Sequence, residues 1–273
     1  MEVQTIAPIS NEIAAGDEKM IDLHTHILPG LDDGSKNTAE SLSMAGVAQD
    51  DGIHTIVATP HVLQGVFDND KNKILLAVTQ LNQTLQEQNI AVHILPGAEY
   101  YLEADIPLKL SQGELLTIND NGRYLLVELP SAFIPEYTAQ VLYEIQLQGV
   151  TPIIAHPERN AGFTRRPDIL QEMTSRGVLA QVTSASITGL FGKKVKRTAF
   201  SFLRRGLVHL VSSDAHSSKG RAPLLSQAQK EIEKHYGSHI AQLLVIQNPG
   251  SIIEGESTEP LIIRSNTRWK LFR

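Results

Sequence analysis

The chain has 273 residues, 41% of them hydrophobic and 20% charged, an ordinary globular composition whose length suits one α/β barrel of about 250 residues. Its net charge of −6, from 30 acidic against 24 basic residues, offers no broad basic face to a nucleic acid, so no nucleic-acid partner is expected. The absence of cysteine excludes disulfides, thiolate metal sites and a cysteine nucleophile, and the lack of any long uncharged apolar run or leader-like start predicts a cytoplasmic chain with no transmembrane segment.

Residues 1–19 carry no period and no motif and are expected to form an N-terminal arm. From Met20 onward, short runs of Ile, Val and Leu alternate with longer helical patterns, and strand-then-helix repetition predicts a parallel sheet or barrel. The strand candidates are Met20–His24, His54–Ala58, Val92–Leu95, Tyr124–Leu129, Thr151–Ala155, Val178–Val182 and Leu207–Val211. Helices are expected at Ala39–Gln49, Asp70–Gln88, Glu136–Gln148 and Asp168–Arg176. In the second of these, Ile74, Val78, Leu81 and Leu85 form the apolar stripe of an amphipathic helix. Gly52, Gly149, Gly177 and Gly206 each precede a strand, where a helix-terminating glycine belongs. The barrel is expected over residues 20–250. A C-terminal segment, 251–273, would end in a tail with Arg264, Arg268, Lys270 and Arg273 among Trp269, Leu271 and Phe272, read as a solvated terminus.

Potential ligands collect at the strand ends. In Asp22-Leu23-His24-Thr25-His26 the two histidines are two residues apart on an extended strand, so both imidazoles face one side and one cation can take both. They end the first strand, at the C-terminal mouth where barrel enzymes keep their sites. Later strands end in His61, Glu99, Glu128, His156 and the pair Asp214 and His216. Singly, each has a structural explanation, such as a helix cap or a salt bridge. Jointly they form the donor set of a multinuclear hydrolase, in which a carboxylate can bridge two cations. His54, His93, His209, His235 and His239 lie within elements or near the C-terminus and are assigned structural roles. Arg159 follows His156, and Arg221 follows His216 by a short loop. A guanidinium is a natural clamp for a pair of phosphate oxygens.

The segments IDLHTHILPGLDDGS, ATPH, PGAEYY, AHPERN and SSDAH, in that order, resemble the polymerase and histidinol phosphatase superfamily. Within it they look like the manganese-dependent protein tyrosine phosphatases of Gram-positive bacteria that regulate capsule and exopolysaccharide assembly. The resemblance runs from Met20 to the 240s. It implies a single-domain, distorted (β/α)7 TIM-like barrel with two or three divalent cations, Mn2+ by family expectation, with Fe or Zn suiting the same donors. The first cation would be held by His24, His26, Glu99 and Asp214. The second would share Glu99 and add Glu128 and His156, and the third would take Asp33, His61 and His216. Arg159 and Arg221 fall at the family's phosphate-binding positions, while Val62 and Asn160 stand where it often has a histidine and an aromatic residue. The implied activity is hydrolysis of phosphotyrosine by metal-activated hydroxide, on a membrane-associated tyrosine kinase controlling polysaccharide synthesis. Two alternatives stand beside it: a histidinol-phosphate or other small-molecule phosphatase, and a non-catalytic metal-binding regulator of a kinase.

Overall fold

The computed structural model describes residues 19–263; the arm before Lys19 and the tail Arg264–Arg273 lie outside the described residues. Strands β1 Met20–Thr25, β2 Ile53–Ala58, β3 His61–Val62, β4 His93–Pro96, β5 Glu99–Tyr101, β6 Tyr124–Glu128, β7 Thr151–Ala155, β8 Leu179–Thr183 and β9 Leu210–Ser212 form two parallel sheets, ordered β1-β2-β4 and β3-β5-β6-β7-β8-β9. All seven expected strands are present; β3 and β5 are additional. They arise because Thr59-Pro60 and Pro96-Gly97 interrupt two staves, proline having no N–H to give the ladder. Single bonds carry the ladder across these breaks: Thr59 N–H donates to Thr25 O (2.9 Å) and Glu99 N–H to Pro60 O (3.1 Å).

The sheet closes on itself. Asp214 N–H donates to His24 O and His26 N–H to Ala215 O, both at 2.9 Å, around a parallel bridge between Thr25 and Ala215. Counting β2 with β3 and β4 with β5, seven staves make the barrel, as the distorted (β/α)7 expectation requires. Below the seam, buried Asp22 accepts from Ser213 N–H (2.9 Å), Ser213 Oγ (2.5 Å) and Thr25 Oγ1 (2.9 Å), tying the first stave to the last.

Outside the staves lie α1 Thr38–Asp51, α2 Lys71–Glu87, α3 Ile106–Ser111, α4 Thr138–Leu147, α5 Ala161–Arg165, α6 Pro167–Ser175, α7 Ser184–Thr188, α8 Lys193–Arg204, α9 Ser226–Tyr236, α10 Ser238–Gln242 and α11 Asn248–Glu254. The four expected helices match α1, α2, α4 and α6 to within two residues. Asn37 caps α1 by accepting from Glu40 N–H, and Asp70 caps α2 by accepting from Lys73 N–H. The stripe Ile74, Val78, Leu81 and Leu85 is buried, and it belongs to the large apolar layer between helices and staves. A smaller core that includes Leu23, Val57, Leu126, Ile153, Leu179 and Leu210 fills the barrel itself. The expected boundary at residue 250 falls inside α11, and Ile252 of that helix is fully buried in the barrel core. The wall therefore extends past 250, and Leu261, 5% exposed, still packs on it. Among the described residues, no helix is long and apolar enough to cross a membrane.

Candidate metal centre at the barrel mouth

The ends of the staves bring His24, His26, Glu99 and Asp214 together. His24 Nε2 stands 3.2 Å from His26 Nε2, 3.1 Å from Glu99 Oε2 and 3.5 Å from Asp214 Oδ1, and His26 Nε2 is 3.4 Å from each of those oxygens. Ligands set roughly 2.0–2.1 Å from one cation at tetrahedral angles are about 3.3 Å apart. Glu99 Oε2 is buried without a well-aligned hydrogen bond although three imidazole nitrogens surround it, the third being His61 Nδ1 at 3.1 Å. That is the pattern of donors converging on a point, and the donor set fits a divalent cation.

The imidazoles are held ready for that role. His24 Nδ1 donates to Gln181 Oε1 (3.0 Å) and His26 Nδ1 to Asp32 Oδ2 (2.6 Å). Amide and carboxylate oxygens only accept, so in the neutral ring the proton sits on Nδ1 and the lone pair on Nε2. Asp32 is itself oriented by Gly34 N–H and His61 N–H, both at 2.9 Å. Gly34 is required here, because a Cβ would lie 2.2 Å from His26 O.

The remaining donors adjoin this set. Glu99 Oε1 faces His156 Nε2 at 3.1 Å, and Glu128 is 3.6 Å from the same nitrogen, so Glu99 presents one oxygen to each of two groups. Asp33 Oδ1 lies 3.3 Å from His216 Nε2 and 3.6 Å from His61 Nε2. His61 faces both ways, since its Nδ1 also lies 3.8 Å from Glu128. Two of these residues have the left-handed backbone, His156 at φ 32° and Asp214 at φ 52°, a strain found where surrounding structure over-determines a functional residue.

Arg159 Nη1 and Arg221 Nη2 both donate to Asp214 Oδ2, the latter at 2.6 Å, so the outer oxygen of Asp214 anchors two guanidiniums while the inner one faces the histidines. Phe191 lies against both, its ring centroid 5.2 Å from the Arg159 guanidinium carbon and 6.0 Å from that of Arg221. The edge of the site is open: the side chains of Asp33, Arg159 and Arg221 are 56%, 29% and 32% exposed.

Burial by itself would push the Glu99 and Asp214 carboxyls up, but the surrounding imidazoles, His24 foremost, hold both well below the usual carboxylate range. Conversely, burial disfavours charge on His24 and His26, and the carboxylates outweigh it and raise both. Burial lowers His61 to about 4, while the His216 hydrogen bond holds Asp33 at about 2. Glu128 is raised by burial and by the charge of Glu99. A field that favours cationic imidazoles is one that attracts a divalent cation.

Residues 20–254 match the family described as "Capsular polysaccharide synthesis, CpsB/CapC". The chain belongs to this CpsB/CapC family. It is 40% identical to the tyrosine-protein phosphatase YwqE of Bacillus subtilis (strain 168) over 225 residues, 82% of this chain and 88% of that protein. It is 35% identical to the tyrosine-protein phosphatase CpsB of Streptococcus pneumoniae over 239 residues, 86% and 98% of the two chains. A crystal structure from a study of YwqE and CpsB, described there as unique metal-dependent tyrosine phosphatases, superposes with a TM-score of 0.85 at 37% identity, covering 88% of this chain and 97% of that one. The histidinol phosphate phosphatase of Lactococcus lactis, at 14% identity and a TM-score of 0.51 over 79% and 93% of the chains, shares the fold. The family match ends where α11 ends, as expected if that helix completes the barrel.

In this CpsB/CapC chain, sequence reasoning missed Asp32, Gln181 and Phe191. The first two had a signal: Asp32 stands in the Asp32-Asp33-Gly34 turn, and Gln181 is a polar residue inside an apolar strand. Phe191 had none, because its partners come from distant loops. Asn160, one of the departures from the family pattern, is 5% exposed. Its amide donates to Pro130 O and Phe133 O while its oxygen caps α5, so it pins a loop behind the mouth.

Proposed function

We propose that the chain is a metal-dependent protein tyrosine phosphatase. The observation that carries the reading is the convergence of His24, His26, Glu99 and Asp214 at 3.1–3.5 Å beside two guanidiniums on the same aspartate. Family membership and the tyrosine-phosphatase relatives support the substrate class. His24, His26, Glu99 and Asp214 would hold one cation, Glu99 with Glu128 and His156 a second, and Asp33, His61 and His216 a third, with Mn2+ as the metal. Such cations supply Lewis-acid stabilisation of phosphoryl charge and make water nucleophilic near neutral pH.

The chain's own residues do the rest. Gln181 and Asp32 fix the two imidazoles in the ligating tautomer. Asp214 holds Arg159 and Arg221 by one donor nitrogen each, leaving further N–H groups for phosphoryl oxygens. Burial works against the charge of Arg159, and the Asp214 and Glu158 carboxylates outweigh it, so the guanidinium stays cationic. The tyrosine phenol, with a pKa of about 10, leaves more easily than an alkyl alcohol and needs less help from an acid. An open edge suits a phosphoryl group carried on a polypeptide. The physiological substrate on this reading is a membrane-associated tyrosine kinase of capsular polysaccharide synthesis, and the chain works in the cytoplasm.

The test is phosphate release from a phosphotyrosine peptide and, in parallel, from histidinol phosphate, with Mn2+ and with a chelator. Chelator-sensitive cleavage of the peptide is the expected result. Cleavage of histidinol phosphate alone would overturn the substrate class, and cleavage of neither would overturn the enzyme.

A further inference from the structure

A groove of about 750 Å³ lies between α8 and α9, walled by Phe200 and Tyr236 and edged by Lys193, Lys196, Arg197 and Arg204. Lys196 pairs with Glu231 at 2.9 Å. Lys193, Arg197 and Arg204 make no ion pair among the described residues, on a chain whose net charge is −6. This arrangement works against the helix that carries it. Lys193, Lys194 and Lys196 occupy the first turn of α8, which holds no acidic residue, so they face the positive end of the helix dipole. Lys193 and Arg197 are also a like-charged pair at i, i+4. Stability alone would not select either feature, whereas an anionic occupant would relieve both.

The groove's Lys193 end follows closely in the chain on a residue of the mouth. Phe191, against Arg159 and Arg221 at the mouth, stands two residues before Lys193, and the chain passes between them through Gly192, which precedes α8. We propose that this groove docks an anionic segment of the phosphorylated polypeptide substrate itself, residues flanking the phosphotyrosine whose phosphoryl group sits at the arginines. This rests on the phosphatase reading above. A helix of 12 residues is about 18 Å long, which an extended peptide covers in roughly five or six residues. The acidic positions should therefore begin roughly two or three residues from the phosphotyrosine. Cations edging a concavity with an aromatic wall fit a peptide strand better than a flat lipid surface.

The test compares two phosphotyrosine peptides that differ only in flank, one with a run of glutamates and one with serines and glutamines, together with para-nitrophenyl phosphate, which has no flank. The metal-loaded full chain is set against its Lys193→Glu/Arg197→Glu/Arg204→Glu variant. The wild type is expected to favour the acidic peptide about tenfold in kcat/KM at low salt. The variant loses that preference and keeps its turnover of para-nitrophenyl phosphate and the neutral peptide. The preference should fade toward about 0.5 M salt, where screening reaches only a few ångströms. Equal rates on the two peptides with wild type would overturn the proposal, as would a variant that loses all three substrates alike. If no phosphotyrosine peptide is cleaved, the phosphatase reading fails separately, and fluorescence anisotropy of the unphosphorylated acidic peptide decides: weaker binding by the variant upholds the groove, and equal binding overturns it. Sedimentation with phosphatidylglycerol vesicles, lost in the variant and unaccompanied by peptide discrimination, would assign the groove to a membrane and overturn the peptide.

Discussion

The two ends of the barrel are built from the same strands and are opposite in character. At the mouth, buried His24, His26, Glu99 and Asp214 crowd their charges together, and His156 and Asp214 take a left-handed backbone. At the base, Ile118 and Ile252 plug the interior beside Tyr124, and polar groups are paired off: Asn121 Nδ2 donates to Ile252 O (3.1 Å), and Asn248 Nδ2 to His209 O (2.8 Å) and Glu259 O (3.0 Å). A fold can gather repelling or desolvated groups at one end only if the other end and the apolar layer stabilise it. Barrel enzymes divide their strands in this way, with chemistry at the C-terminal face and stability at the N-terminal one.

Changes at the mouth should therefore abolish activity without unfolding the chain, and changes at the base should do the reverse. Asp214→Ala removes a proposed ligand and the anchor of both arginines, so phosphate release should fall by about 10³-fold or more; a variant retaining full activity would refute the site. Leu126→Ala, in the filled barrel at 2% exposure, should cost about 3 kcal/mol in a urea titration while leaving kcat of the folded fraction unchanged.

Asp32→Asn keeps the hydrogen-bond shape but loses the charge on His26. Metal affinity, read by titration calorimetry, should drop about 10–100-fold. At the base, His209 Nδ1 accepts from Ala180 N–H at 3.1 Å, and burial lowers its pKa to about 4. The unfolded chain takes up that proton near pH 6.5 and the folded one does not, so this contribution is complete above pH 6.5 and is lost as pH falls toward about 4. Compared with His209→Gln, the wild type should lose on the order of 2 kcal/mol more across that window. The smallest effect is expected of Phe191→Leu, which removes the ring from both arginines: KM for a phosphotyrosine peptide should rise about fivefold with metal affinity unchanged, and Phe191→Tyr should restore it.

Much of this contrast was legible in the chain. Apolar runs and helix stripes marked the staves and their cover, since burial acts at the strand and helix periods that the sequence displays. The histidines and carboxylates stood out because residues such as His24 and Glu99 close apolar segments where burial alone would not place them. The interruptions at Pro60 and Pro96 were visible as residues, but not as breaks in a stave, because a break is defined by the neighbouring strand.

Sequence by itself marked the seven staves and eight of the donors that meet at the mouth, all of which depend on local pattern, whereas Asp33 and the closed barrel were implied only by the family resemblance. Tertiary structure alone decided that Glu99 turns one oxygen to His156 and the other to His24 and His26, that one aspartate anchors two arginines over Phe191, and that Gln181 and Asp32 set the imidazole tautomers. Each of these is a meeting of side chains distant in sequence, fixed only when closure of the sheet sets the distance between them.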